Sequence, residues 1–474
     1  MIIQLFKSLR VRFSIISLLL LAVVLTGASC TSKPPVTAKP ITLKIWRVFD
    51  EEDTFSQIIS GYQATHPNVT IEYKKLRFEE FRDELLSAWS RGEGPDIFSI
   101  PNYQVGEFRD FMKPLPESLT IPRRVTKKVL GVKEETSYVN EKTKTYSIND
   151  IKSKFVPTVY EDVVFNDADA KERVYGLPLA IDSLALYYNR GILNKAGIPL
   201  PPATWRELLN QVPKLVKESS SGELVQSAIA LGAADNVPRY VDILSTLMMQ
   251  DGATMNQGDK SATFQANFAA SAKTDTESNF KPGPHALQFF TDFANPAKQA
   301  YSWNTDLPDA YEAFIQGQLA YFIGYSYQAP LIKTAAPTLD FDIAPLPQVS
   351  LDQSVNFANY WVESVYTKSD NSDWAWDFIT YATKKEQVVG YLNQVMRPSA
   401  LREVILLQSE QDEAIKVFTD QALDSTSWYH GRDYAKVEEV FKNMIEDVTN
   451  NRATAEQAVS AAEKTINQNE NLKK

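Results

Sequence analysis

The sequence predicts the α/β class: a parallel sheet covered by helices, in a chain of more than one domain. Three observations carry this. Between Ile41 and Ile100, short apolar runs alternate with stretches of helical period, strand–helix–strand–helix–strand in sixty residues. At 474 residues the chain exceeds one small module, since domains run to ~100–200 residues. Its composition, 44% hydrophobic, 23% charged and 11% aromatic, is that of a globular protein rather than of disorder, collagen or a polytopic membrane protein.

The N-terminus reads as a leader. Lys7, Arg10 and Arg12 form a basic region, Ile15 to Leu25 is apolar apart from Ser17, and the small residues Thr26 to Ser29 precede the only cysteine, Cys30. The apolar run is short for a membrane span, which needs ~20 residues. The arrangement resembles a bacterial lipobox, although Gly27 stands where that pattern has Leu. It implies removal of residues 1–29 and lipidation of Cys30. The remaining chain has 46 Lys+Arg against 59 Asp+Glu, a net −13. Residues 30–40, Pro-rich and polar, form an extended tether.

The body follows in order. Ile41–Trp46 is a short apolar strand. Thr54 and Gln57 have capping-box spacing, and Phe55, Ile58, Ile59 and Tyr62 recur at helical period. Val69–Tyr73 alternates as a strand, Phe78–Trp89 is a second helix, and Asp96–Ile100 is a third strand. Residues 117–154, with nine Lys+Arg and five Asp+Glu, read as a solvated surface excursion. Tyr175–Asn189 is a long extended segment with Asp182 in its middle. Thr204 and Glu207 form a capping box before Leu208, Leu209, Val212 and Leu215. Leu319–Ile323 is a strand and Trp374–Tyr381 a helix. Val437, Val440, Phe441, Met444 and Ile445 form an amphipathic stripe, and Thr454–Gln457 caps a last helix. Trp46, Trp205 and Trp374 have apolar neighbours and are assigned to the core.

Several chemistries are excluded. A net charge of −10 disfavours nucleic acid, whose binding gains from counterion release on a basic surface. One Cys and three His exclude an intrachain disulfide and Cys₄ or Cys₂His₂ zinc sites. There is no G-x-S-x-G, H-E-x-x-H, P-loop or G-x-G-x-x-G after a strand. His66, His285 and His430 each lie beside Pro or Gly and form no triad order. No cofactor, metal or catalytic residue is assigned. A glycosidase needs only two carboxylates ~5–10 Å apart, so a surface-anchored carbohydrate-active hydrolase stays open, as does a structural or adhesive surface protein.

Four blocks resemble the extracellular solute-binding proteins of ABC importers, in the sugar-binding group that includes maltose-binding protein. They are Ile41–Phe98 with its G-P-D-I-F end, Tyr175–Trp205, Ala313–Ala320 running to Gly324 and on to Ala344–Pro347, and Trp361–Pro398. The resemblance implies two α/β lobes joined by a hinge of crossing strands, with ligand bound between them. It implies lobe 1 from 41–182 and 305–348, lobe 2 from 183–304 and 349–430, and C-terminal helices in 431–474 packing back on them. It also implies a monomer that holds a small polar solute, a sugar, and delivers it to ABC permease subunits and their ATPase, with the membrane reached through the lipid on Cys30.

A polyol site needs carboxylates and amides for hydroxyls and aromatic rings for stacking. Asp182 is the first candidate; in the resembling group an acidic residue there accepts sugar hydroxyls, while the alternative is a carboxylate capping nearby backbone amides. Asp50 and Glu51, beside Phe49, follow the first strand, and Asn102 and Tyr103 follow the third, where an α/β sheet places ligands. Tyr325 and Tyr327 follow the strand ending at Gly324. Tyr360 and Trp361, beside Asn359, stand where the group has a Gly-rich loop. Arg239, Tyr240 and Arg397 complete the set.

Overall fold

The computed structural model describes residues 38–129, 133–257, 261–265, 280–411, 413 and 415–472. The leader 1–29, Cys30 and the tether up to residue 37 lie outside the described residues. By contact the chain divides into two compact units, one containing Ile121–Glu141, the other Pro40–Thr120 with Lys142–Lys474.

The excursion expected over 117–154 contains a two-stranded ribbon, Ser118–Val129 against Lys133–Lys144. Arg123 pairs with Glu141 at 2.6 Å across it. A short helix, Ile148–Lys154, then starts on a Ser147–Asp150 capping box.

In the larger unit the first sheet has the order Trp361–Val365, Ile97–Pro101, Ile41–Val48, Val69–Leu76. The last two pair in parallel along their full length, Ile41 with Val69 through Val48 with Leu76. Trp361–Val365 joins antiparallel to Ile97–Pro101 at the edge. Helix Glu52–Thr65 buries Phe55, Ile58, Ile59 and Tyr62 against this sheet's core. The expected capping box at Thr54 is not used: the helix begins at Glu52, and Glu52 and Asp53 place negative charge at its positive end. The second helix starts at Phe81 rather than Phe78.

The second sheet runs Lys217–Glu218, Leu224–Ile229, Leu319–Gly324, Ala185–Asn189, Phe341–Pro345. Thr204 and Glu207 form the expected capping box at the start of helix Trp205–Leu215. The stripe from Val437 to Ile445 is the buried face of helix Tyr434–Thr449, which pairs with Ala455–Leu472 over the second core. Trp205 is buried, while Trp46 and Trp374 sit half-buried at the edge of the first core. No helix among the described residues is long and apolar enough to cross a membrane.

A third, small sheet joins the lobes. Asn356–Asn359 pairs antiparallel with Asp182–Ser183 and parallel with Ser425–Thr426. The chain thus crosses between lobes three times. The segment Tyr175–Asn189 is therefore not one strand: its first half docks on the first lobe, with single bridges from Leu177 to Glu363 and Ala180 to Ser399, and its second half enters the other sheet. Gly176 makes the first contact possible, because a Cβ there would lie 2.2 Å from Val362 Cγ1.

The crossings correct the expected partition. One core gathers Leu43 to Ile181, Tyr103 excepted, with Ala358 to Ile405 and Ala422; the other gathers Leu184 to Leu346 with Tyr103, Phe357, Phe418 and Trp428 to Ile466. Residues 305–348 therefore belong with the second lobe, and most of 349–430 with the first. The reason is register: Leu319–Gly324 pairs with both Leu224–Ile229 and Ala185–Asn189, whereas Trp361–Val365 pairs with Ile97–Pro101.

Candidate functional site

The carboxyl ends of the first sheet's parallel strands open on a cavity of about 590 Å³ lined by both lobes. On the first wall, strand Ile41–Val48 delivers Arg47 and then Phe49, held at φ 72°. A non-glycine residue in that region costs about 1–3 kcal/mol and persists only where packing fixes it. Here the Phe49 ring stacks on Phe78 (5.8 Å, 15°) and meets Trp361 edge-on (5.6 Å, 90°). Phe49 remains 51% exposed and Phe78 38%. The three rings form an apolar platform beside the cavity.

Beneath it lies a buried ionic floor. Arg47 Nε and Nη2 reach Glu363 at 3.0 Å, and Nη1 reaches Asp50 at 3.1 Å. Ser99 donates to Glu363 (3.1 Å) and Tyr391 to Asp50 (2.8 Å). Burial raises the Glu363 pKa against the pull of Arg47. Burial alone would lower that of Arg47, but Glu363, Tyr391 and Asp50 outweigh it and hold the guanidinium firmly charged.

The second lobe supplies the facing wall. Tyr325 and Tyr327 are stacked at 6.4 Å and 17°; Tyr327 is 41% exposed, and Leu331 projects beside it. Arg239, at φ 61°, is clamped by buried Asp242 through Nε (2.7 Å) and Nη2 (2.6 Å). Asp242 also accepts from the Tyr325 hydroxyl (2.6 Å) and the Asn359 amide (3.4 Å). Tyr103, from the first lobe, packs on Tyr434 at 4.0 Å at one side of the cavity; burial pushes its phenol up to about 12.

Asp182 sits at the first crossing with its lone pairs committed. It accepts from Ser326 N (3.0 and 3.1 Å), Ser326 Oγ (2.7 Å) and Ser183 N (2.9 Å). Burial raises its pKa to about 6 despite these donors. Of the two readings of Asp182, this geometry matches the carboxylate that caps backbone amides.

Asp50, Tyr103, Asp182, Arg239, Tyr325, Tyr327, Tyr360, Trp361 and Arg397 all line the cavity. Glu51, Asn102 and Tyr240 do not. Glu51 lies at the solvent-facing start of helix Glu52–Thr65, paired with Lys75. Asn102 is turned inward, donating to Asp162 (3.1 Å) and to the Ala358 carbonyl (3.3 Å). Tyr240 points at the Glu438 carbonyl (2.9 Å). Tyr360 lines the cavity but sends its hydroxyl to Asp162 (2.5 Å), which also accepts from Ser427 and meets His430 Nε2 at 2.7 Å. Arg47, Phe78, Leu331, Glu363 and Tyr391 line the cavity and were not expected there. Arg47 carried a signal, a charge just before the end of an apolar strand. Phe78 was masked by being read as the first residue of a helix.

Among the described residues, no group of three or more His, Cys, Asp or Glu is arranged to hold a metal. The carboxylates at the cavity are engaged by protein donors, and apolar rings stand on both walls. This arrangement suits clasping a ligand with flat apolar faces and polar edges.

Two lobes, a crossing-strand hinge and a cavity walled by both define a clasping binding protein. The chain belongs to the bacterial extracellular solute-binding protein family, whose profile matches residues 49–389. It is similar to a binding protein of Brucella abortus strain 2308, 20% identical over 332 residues, 70% of this chain and 69% of that one. It is also similar to the maltotriose-binding protein of Pyrococcus abyssi, 21% identical over 356 residues, 72% of this chain and 62% of that one. Among solved structures, the cyclic α-maltosyl-1,6-maltose binding protein from Arthrobacter globiformis matches with a TM-score of 0.68 at 18% identity, covering 90% of this chain and 98% of that one. The two-lobed α/β fold and the family expected from the sequence are both borne out.

Proposed function

We propose that this protein is the extracellular receptor of an ABC importer. It captures a carbohydrate between its lobes and hands it, unaltered, to permease subunits. Lipidation of Cys30 would hold it at the outer face of the cytoplasmic membrane. One observation carries the reading: the platform of Phe49, Phe78 and Trp361 on one lobe and the Tyr325–Tyr327 pair on the other line the same cavity. Sugar rings stack on such faces. Closure on a ligand is favoured only when the ligand gains contacts from both lobes, as this placement allows. The saccharides named for the Pyrococcus and Arthrobacter proteins support the same ligand class.

Trp361, Phe49, Tyr327, Tyr325, Arg239 and Arg397 are assigned to ligand contact. Asp50 and Asp182 are assigned to holding the walls in place. Commitment of the cavity carboxylates to protein donors favours binding over glycoside hydrolysis, which needs a free acid and a free base or nucleophile. Isothermal titration calorimetry with a panel of oligosaccharides, followed by chromatography of the recovered ligand, tests this. Saturable heat with an intact ligand is expected. Release of shorter sugars, or no heat with any saccharide, would overturn it.

A further inference from the structure

The cavity is rich in apolar surface and poor in unspent polar groups. Arg47 is held by Glu363 and Asp50, Arg239 by Asp242, and Asp182 by Ser326 and Ser183. Arg47 Nη1 and Arg239 Nη2 lack a hydrogen bond of good angle, but each is buried against its carboxylate, 3.1 Å from Asp50 and 2.6 Å from Asp242. The hydroxyls of Tyr325, Tyr360 and Tyr391 are donated to Asp242, Asp162 and Asp50. Among the described residues, the capacity left for a ligand is the Tyr327 hydroxyl, the Asn359 amide oxygen and the Arg397 guanidinium, itself drawn to Asp50 at 3.6 Å and to Asp182. Arg47, Arg239 and Arg397 together face Asp50, Asp182, Asp242 and Glu363, so no positive charge is left over to hold an anion.

Apolar side chains, by contrast, stand open on both walls. Phe49 and Phe78 on the first lobe and Tyr327 and Leu331 on the second are exposed, and Pro330 and Val395 also line the cavity. An aromatic ring offers a sugar a stacking face; Leu331, Pro330 and Val395 offer none and suit an apolar group instead. Each pyranose ring brings several hydroxyls, and every hydroxyl buried without a partner weakens binding. The unspent polar groups serve about one such ring. We infer that the cleft selects a neutral glycoside with a flat apolar aglycone, an aryl glycoside. Its sugar ring meets Tyr327, Asn359 and Arg397, and its aryl group packs on Phe49, Phe78 and Leu331 as the lobes close. A cavity of about 590 Å³ suits such a ligand, since pockets for drug-sized molecules run to ~300–1,000 Å³. This rests on the carbohydrate reading given above and narrows it.

The test is calorimetry on the whole protein with matched ligands: the phenyl and methyl glycosides of glucose, galactose and mannose in both anomers, and the disaccharides in which a second sugar replaces the phenyl group. For one sugar and anomer, the phenyl glycoside should bind roughly tenfold tighter, or better, than both the methyl glycoside and the disaccharide. Its binding should also show the more negative heat-capacity change that marks apolar burial. In Leu331→Gln, a change at an exposed side chain, the phenyl-to-methyl ratio should fall roughly threefold or more. Disaccharides or longer oligosaccharides bound as tightly as every phenyl glycoside, or tighter, would overturn the inference while leaving the receptor reading intact. An unchanged ratio in a folded Leu331→Gln would also overturn it. No binding of any glycoside or oligosaccharide would remove both readings. The wild-type comparison decides the matter even if the variant fails to fold.

Discussion

Replacing Asp182 by Asn should change how stability depends on pH. The carboxyl is buried at the first crossing, and its pKa is raised from 3.8 to about 6. Because the folded value lies above the unfolded one, the protonated form favours the folded state. The stability this group contributes is present below pH 3.8 and is lost as pH rises through 6. Each pKa unit is about 1.4 kcal/mol, so the full span is roughly 3 kcal/mol, of which about 2 kcal/mol falls between pH 4 and pH 7. Asparagine keeps the size and one acceptor oxygen for Ser326 and Ser183 but has no charge to bury. The variant's stability relative to the parent should therefore rise by about 2 kcal/mol from pH 4 to pH 7. Urea unfolding followed by tryptophan fluorescence at pH 4, 5.5 and 7 measures it. Parallel stability curves for the two proteins would refute the reasoning.

Trp361→Ala removes the ring that Phe49 meets edge-on and should weaken saccharide binding by about 1–2 kcal/mol, stacking plus lost apolar contact, read by calorimetry. Unchanged affinity would take Trp361 out of the contact set. Gly176→Ala forces a methyl to 2.2 Å from Val362 Cγ1 and should cost about 1–3 kcal/mol in denaturant unfolding. Asp162→Ala strips Asn102, Tyr360 and Ser427 of a shared buried acceptor and should cost about 3 kcal/mol or more, against about 1 kcal/mol for Tyr360→Phe. Equal losses in those two variants would show that the carboxylate is not the centre of that cluster.

Elements with strong local signals were legible in the sequence. The parallel start from Ile41 to Ile100 and the helix capped by Thr204 and Glu207 stand as read, because hydrophobic period and capping chemistry act over a few residues. Thr54 shows the limit: Glu52 and Asp53 could open the helix earlier, and spacing alone does not rank two competing starts. The lobe partition was not legible. Leu319–Gly324 and Trp361–Val365 are both short apolar strands, and nothing within either says which sheet will accept it. At the site, residues at strand ends such as Asp50 and Tyr103 were found by topology. Glu51 and Asn102 share those strand ends, yet side-chain direction sends one to solvent and the other into the core. Tyr391 and Phe78 reach the cavity from a helix and a turn, where sequence carries no sign of it.

The three crossings have a consequence for biogenesis. Neither lobe is a continuous stretch of chain. The first cannot complete its sheet until the edge strand Trp361–Val365 has been synthesised, and the second lacks its covering helix pair until Leu472. Both halves therefore stay unfinished until most of the polypeptide has left the ribosome, and no truncated product can bury a full interior.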